Sequence, residues 1–263
     1  MKTIIDFLRA KREQHPIAMI AAYDALMARI VAESQADAIL VGDSAAMVVH
    51  GFPSTLHATV EMMALHVAAV RRGAPDLMIV ADMPFLSVRR GRSAAADAAG
   101  ELMRSGATAV KVEGVAGHED VIEHLVGSGI PVMGHLGLTP QSVHQLGGYR
   151  LQGREAAEAE RLRREAGRLE DLGAFAFVLE CVPEALAGVI SAERSIPSIG
   201  IGAGSGTDGQ VLVLSDLLGL DARFQPRFAR RYLEGHGLVR TAIDQFVSDV
   251  RAAEFPARAE VLA

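Results

Sequence analysis

The sequence predicts a single (β/α)8 barrel, and three observations carry the prediction. Eight short apolar runs recur along the 263 residues, amphipathic segments of helical spacing lie between them, and no Pro/Gly/Ser-rich linker, low-complexity tract or shift of composition divides the chain. Strand, helix, strand, helix implies a parallel sheet, and eight units in about 250 residues is the size of a closed α/β barrel of the TIM type. A doubly wound open sheet shares this periodicity and is the alternative. Residues 1–263 are read as one domain with short N- and C-terminal helical extensions.

The opening MKTIIDFLRAKREQ mixes charges into its apolar residues. It lacks the uninterrupted apolar centre and small-residue cleavage site of a secretory signal. The strand candidates follow: IAMIAAYD (17–24), AILVGDS (38–44), LMIVADMPF (77–85), AVKVEG (109–114), PVMGHLGL (131–138), FAFVLEC (175–181), IPSIGIGA (196–203) and, as the weakest pattern, QVLVLSD (210–216). Between them TVEMMALHVAAVRRG (59–73), SAAADAAGELMRSG (93–106) and HEDVIEHLVGSG (118–129) read as helices, each closed by a glycine before the next run. The clearest helix is REAAEAERLRREAGRLEDLG (154–173). In it Leu162, Ala166, Leu169 and Leu172 recur at helical spacing, Glu160 can pair with Arg164 across one turn, and Gly173 sits where a C-terminal cap belongs.

Composition narrows the partners. Half of the chain is hydrophobic, enough for a large core, and the formal charge is −6 with no basic tract, so nothing marks a nucleic-acid surface. Charges or glycines interrupt every apolar stretch before the roughly 18 residues a membrane span needs. Cys181 is the only cysteine; it cannot form an internal disulfide and suits a reducing compartment. The expectation is a cytoplasmic protein acting on small molecules, with no nucleic-acid or membrane partner.

Polar residues gather at the carboxyl ends of the predicted strands: Asp24, Asp43 with Ser44, Asp82, Lys111 with Glu113, His135 and Glu180. Strand starts and middles are almost uniformly apolar. Both parallel topologies place ligand chemistry at these ends. In AVKVEG, alternation puts Val110 and Val112 on one face and Lys111 and Glu113 on the other. A lone pair of this kind can neutralise itself at a rim. If Asp43, Asp82, Glu113 and Glu180 share one mouth, however, four negative charges face one lysine, and a divalent cation resolves the conflict better than protonation. Carboxylate donors without a Cys or His cluster favour Mg²⁺ over Zn²⁺ and leave coordination positions for water and a chelating oxyanion.

Other features have plainer readings. Gly204, Gly206 and Gly209 form a G-x-G-x-x-G, but a strand-like run follows where a nucleotide-binding helix should start, so a turn-rich loop fits better. Met62 and Met63 read as core, Cys181 as packing and Asp24 as a helix cap. His135, beside glycines at a strand end, reads equally as structural or as touching ligand.

At these positions the chain resembles the ketopantoate hydroxymethyltransferase family. The resemblance rests on AAYD, LVGDSAAMVVHG, ADMPF, VKVEG, GHLGLTPQSV with GGYRLQGR, LECVP and GIGAGSGTDGQ, in the family's order and spanning about residues 3–253. It implies a (β/α)8 enzyme of pantothenate biosynthesis that moves a one-carbon unit from 5,10-methylenetetrahydrofolate to 3-methyl-2-oxobutanoate. It further implies Asp43, Asp82 and Glu113 as acids for one Mg²⁺ per subunit, Asp43, Ser44, Asp82 and Lys111 as keto-acid-binding residues, Glu180 as proton acceptor, and a homo-oligomer, commonly a decamer. The chain departs from the pattern at HGFPSTLHAT, where the family has a more polar stretch around STLPVT. Pro53 and His57 are expected to reshape that loop.

The mechanism expected from these roles has Mg²⁺ polarising the ketone of the keto acid, Lys111 and Ser44 fixing its carboxylate, and Glu180 removing the C3 proton to give an enolate. A Mg-dependent carbon–carbon lyase of the isocitrate lyase-like group is a rival reading, but its KKCGH-type cysteine loop is absent. A non-catalytic barrel is a second rival, and it predicts a lost acid or lysine at the mouth, where none is missing.

Overall fold

Each of the eight apolar runs becomes a strand. The computed structural model describes residues 2–260 and contains β1 (Ile17–Ala21), β2 (Ala38–Val41), β3 (Met78–Asp82), β4 (Ala109–Glu113), β5 (Val132–Gly137), β6 (Ala176–Glu180), β7 (Ser198–Ile201) and β8 (Gly209–Val213). Every strand pairs in parallel with the next, and β8 pairs with β1, which closes the (β/α)8 barrel and removes the open-sheet alternative. The predicted runs overshoot mainly at their carboxyl ends. Asp24, Asp43 and Ser44 lie just beyond their strands, in the loops where this fold builds its sites.

The barrel interior is filled by alternate residues of successive strands, among them Met19, Leu40, Val80, Met133, Val178, Ile199 and Val211. Helix Ile4–Glu13 adds Phe7 to this cluster, and the Phe7 ring meets Phe175 edge-on at 5.9 Å. Burying such a side chain stabilises the fold by roughly 1.5–3 kcal/mol.

Helices Ala25–Ala32, Val60–Gly73, Arg92–Arg104, Glu119–Gly127, Ala156–Asp171 and Glu184–Ala192 alternate with the strands. Asp24 caps the first of them, accepting from the Met27 N–H at 2.9 Å, as its position predicted. In Ala156–Asp171, Leu162, Ala166 and Leu169 form the buried stripe, and Gly173 takes a φ of 85° just past the helix end. Residues 202–208 are loop, and Gly209 opens β8. A Cβ at Gly209 would stand 2.4 Å from the Ile17 carbonyl oxygen, so close strand approach explains this glycine without any nucleotide.

Two compact units divide the chain, one ending at Val213 and containing the barrel, the other starting at Leu214. In the second unit helix Gly235–Arg251 carries exposed Leu238, Ile243 and Phe246, and Phe246 meets Phe255 edge-on at 5.2 Å. The reading of 1–263 as one domain stands beside this division as a proposal; residues 1 and 261–263 of that span lie outside the described residues. Among the described residues no helix is long and apolar enough to cross a membrane.

Candidate active site

Strand register assembles the site. Asp82 of β3 lies opposite Lys111 of β4, and Glu113 of β4 lies opposite His135 of β5. Lys111 and Glu113 face the barrel interior, as alternation predicted, and line a cavity of about 110 Å³ together with Asp43, Ser44, Thr55, Asp82, His135 and Glu180. All six residues singled out as site candidates therefore meet at one mouth. Asp43, Asp82, Lys111, Glu113 and His135 are each at most 8% exposed.

Local geometry holds the acids close. The Asp43 backbone N–H donates to Asp82 Oδ2 at 3.0 Å, and a Cβ on Gly42 would sit 2.8 Å from Ser44 Oγ and 3.5 Å from Asp82 Oδ2. Glycine at 42 is what permits this approach. Ser44 Oγ lies 2.8 Å from the Tyr23 hydroxyl. Lys111 Nζ is 2.9 Å from Asp82 Oδ1 and 3.0 Å from His135 Nδ1. His135 stands between two carboxylates, with Nδ1 3.4 Å from Glu113 Oε1 and Nε2 3.2 Å from Glu180 Oε2.

Charge decides the protonation states. Burial and the Lys111 charge oppose a proton on His135, but Glu113 and Glu180 outweigh them and raise it to about 9. The protonated form of His135 is thus favoured between the two glutamates, while Lys111 Nζ lies within reach of both the ring Nδ1 and Asp82 Oδ1. Burial also opposes the Lys111 charge, yet Asp82, Glu113 and Asp43 hold it above the ordinary lysine range. Against its own burial, Glu113 is drawn below the usual carboxylate range by His135, Lys111 and the Gln141 backbone N–H. Asp43 is pushed well above that range by burial first, then by Asp82 and Glu113. Four acids thus face Lys111 and His135, and the crowding of negative charge disfavours the ionised form of Asp43.

Two of these acids keep an oxygen that a divalent cation would satisfy. Asp82 Oδ1 and Glu113 Oε1 are buried and touch charged groups but receive no well-directed hydrogen bond. Among the described residues no group of three or more His, Cys, Asp or Glu side chains is arranged to hold a metal ion by itself. Direct carboxylate contacts completed by water and ligand oxygens are the usual habit of Mg²⁺.

Sequence reasoning missed two residues. Gln141 reaches across the mouth: its side-chain amide donates to Asp43 Oδ2 at 2.8 Å and to the Met83 carbonyl at 2.9 Å, while its backbone N–H donates to Glu113 Oε2 at 3.0 Å. Tyr149 sits at the rim, its hydroxyl 3.8 Å from Met47 Sδ, and its proton is held more tightly by burial and by the charges of Glu180, Asp43 and Glu113. Gln141 lies in GHLGLTPQSV and Tyr149 in GGYRLQGR, both among the segments that carry the resemblance, and that was the available signal. Cys181, with φ 48°, is a free thiol pushed up to about 11 by burial and Glu180, which suits packing rather than nucleophilic chemistry. The divergent loop is ordered by Phe52 stacking on His57 at 4.7 Å.

Comparison with known sequences decides the family. The profile of ketopantoate hydroxymethyltransferase matches residues 1–258. The chain belongs to the ketopantoate hydroxymethyltransferase family. It is 50% identical over 260 residues to a 3-methyl-2-oxobutanoate hydroxymethyltransferase of Bdellovibrio bacteriovorus, covering 99% of both chains. It is 49% identical over 252 residues, 95% of each chain, to the enzyme of that name from Coxiella burnetii. Solved structures similar in fold include a phosphonopyruvate hydrolase complexed with oxalate and Mg²⁺, with TM-score 0.65, 11% identity and coverage of 100% of this chain and 92% of the other. A 2,3-dimethylmalate lyase of the PEP mutase/isocitrate lyase superfamily has TM-score 0.62, 18% identity and coverage of 100% and 89%. These two distant likenesses bear on the barrel fold alone. Family membership favours the transferase reading over the lyase one.

Proposed function

We propose that this chain transfers a hydroxymethyl group from 5,10-methylenetetrahydrofolate to 3-methyl-2-oxobutanoate, giving ketopantoate and tetrahydrofolate, as a cytoplasmic step of pantothenate biosynthesis. The observation that carries this reading is the buried set of Asp43, Asp82, Lys111 and Glu113, joined by half-buried Glu180, around one small cavity in a chain of this family.

Asp43, Asp82 and Glu113 would hold Mg²⁺, which when bound supplies a Lewis acid that polarises the ketone oxygen and stabilises the charge developing there. Lys111 and Ser44 bind the substrate carboxylate. Glu180 takes the proton from C3, and His135, 3.2 Å from Glu180 and 3.4 Å from Glu113, stands between the two carboxylates. The C3 electron pair then bonds to the one-carbon unit as both of that unit's bonds to folate nitrogens break; water supplies the oxygen of the new hydroxyl, and tetrahydrofolate leaves with the proton from C3 and one from that water.

The 110 Å³ cavity suits a compact keto acid, whereas drug-sized ligands occupy roughly 300–1,000 Å³. A neighbouring groove of about 620 Å³ shares Glu113 and runs past Gln141, Phe85 and Leu146 to Arg161. We place the folate there. We also place the chain in a homo-oligomer, which would cover the exposed Leu26, Ile30 and Leu65 of the barrel helices and Leu238, Ile243 and Phe246 of helix Gly235–Arg251.

The test is to mix the purified protein with both substrates and Mg²⁺ and to assay ketopantoate with and without EDTA. Product that disappears with the chelator is expected; no product in the presence of Mg²⁺ overturns the proposal.

A further inference from the structure

Away from the acid cluster, two imidazoles meet nitrogen to nitrogen. His50, exposed in the loop that follows the short helix Ala45–Val48, places its Nε2 2.8 Å from Nε2 of His66, which is half-buried on helix Val60–Gly73. The ring planes lie at 76°. His66 Nδ1 stands 2.7 Å from the Tyr23 carbonyl oxygen. A carbonyl only accepts, so the His66 proton sits on Nδ1 and the Nε2 lone pair points at His50. An imidazole fixed through Nδ1–H to a backbone carbonyl, with Nε2 presented outward, is the arrangement that prepares histidine as a metal ligand. His50 donates its Nε2 proton in the metal-free pair. Being exposed, it can exchange tautomer through water and turn a second lone pair to the same point.

We propose that His50 and His66 form a binding site for a borderline divalent cation of the Zn²⁺, Ni²⁺ or Cu²⁺ class, separate from the carboxylate site. Two nitrogens at about 2.0–2.1 Å from a tetrahedral ion stand roughly 3.3–3.4 Å apart. The pair therefore opens by only about half an ångström from its 2.8 Å contact to admit the ion. Imidazole nitrogen suits these metals, and hard Mg²⁺ prefers the oxygens of the mouth, so the two sites select different ions. With two protein ligands, the remaining positions belong to water.

The consequence lies in the loop. His50 precedes the segment with Thr55, which is buried and lines the cavity, and His66 contacts Tyr23, whose hydroxyl reaches Ser44. A bound ion would tie that loop to helix Val60–Gly73 at the edge of the mouth.

The experiment is a calorimetric titration of Ni²⁺ into the full chain held in saturating Mg²⁺, comparing the wild type with His50→Ala and His66→Ala. The wild type is expected to take up one more equivalent of Ni²⁺ per chain than either variant, and Ni²⁺ should raise its thermal midpoint but not theirs. His50 is exposed, so His50→Ala decides the matter if His66→Ala folds poorly. Equal uptake in the wild type and His50→Ala, whether because Ni²⁺ enters only the carboxylate site or enters nowhere, overturns the proposal.

Discussion

The two ends of the barrel each hold a partly or fully buried lysine, and they use it in opposite ways. At the amino end, Lys11 Nζ donates to both oxygens of Asp208 at 2.8 and 2.9 Å and to the Ser191 carbonyl at 2.7 Å. Asp208 Oδ2 also accepts from Ser191 Oγ, the Ser198 backbone N–H and Ser198 Oγ at 2.8–3.0 Å. One acid meets one base, and every direction is filled. At the carboxyl end Lys111 shares four acids with His135, and buried Asp82 and Glu113 oxygens lack directed donors. The base closes the sheet between β7 and β8, whereas the mouth keeps an imbalance that a ligand can relieve. Satisfied charge serves stability, and unsatisfied charge serves binding.

The largest effect should come from removing the base at the mouth. Glu180→Gln should slow exchange of the C3 proton of 3-methyl-2-oxobutanoate in D₂O by on the order of 10³-fold, within the usual range for a positioned proton acceptor. The thermal midpoint should hardly move. Normal exchange in that variant would remove Glu180 from the role.

At the other end the pattern should invert. Asp208→Asn leaves Lys11 part-buried without its counter-charge and should cost about 2 kcal/mol, a drop of roughly 4–8 °C in midpoint for a chain of this size. Turnover per folded molecule should be unchanged. A large loss of turnover with no loss of stability would break the contrast between the two ends.

The smallest effect concerns pH. His135 has its value raised from 6.5 to about 9, so folding takes up a proton there. Its stabilising contribution is full below about pH 6.5 and fades as pH rises through about 9. Denaturant midpoints of the metal-free protein should fall across that window, and His135→Gln should flatten the fall. An equal slope in the variant would assign the effect to other groups.

What could be read from the sequence follows from how far each signal reaches. The strands were legible because a buried parallel strand is an apolar run, and the acids were legible because each marks the end of its own run. His135 stayed ambiguous until register set it opposite Glu113, since that pairing exists only once β4 and β5 are adjacent. Gln141 was marked only by its place in a resemblance-bearing segment after a site strand, because its role lies in a hydrogen bond to Asp43, 98 residues away in the chain. A neutral amide in a loop carries no local mark of such a contact. The apolar face of helix Gly235–Arg251 was likewise passed over as an extension, because an amphipathic pattern does not say what it faces.

The role of the mouth is tested most directly by titrating Mg²⁺ into the metal-free protein with and without 3-methyl-2-oxobutanoate. One equivalent per chain, bound more tightly when the keto acid is present and weakened by Glu113→Gln, is the expected result. No uptake, or uptake indifferent to both the keto acid and Glu113→Gln, would contradict the assignment of these buried charges to a cation and its ligand.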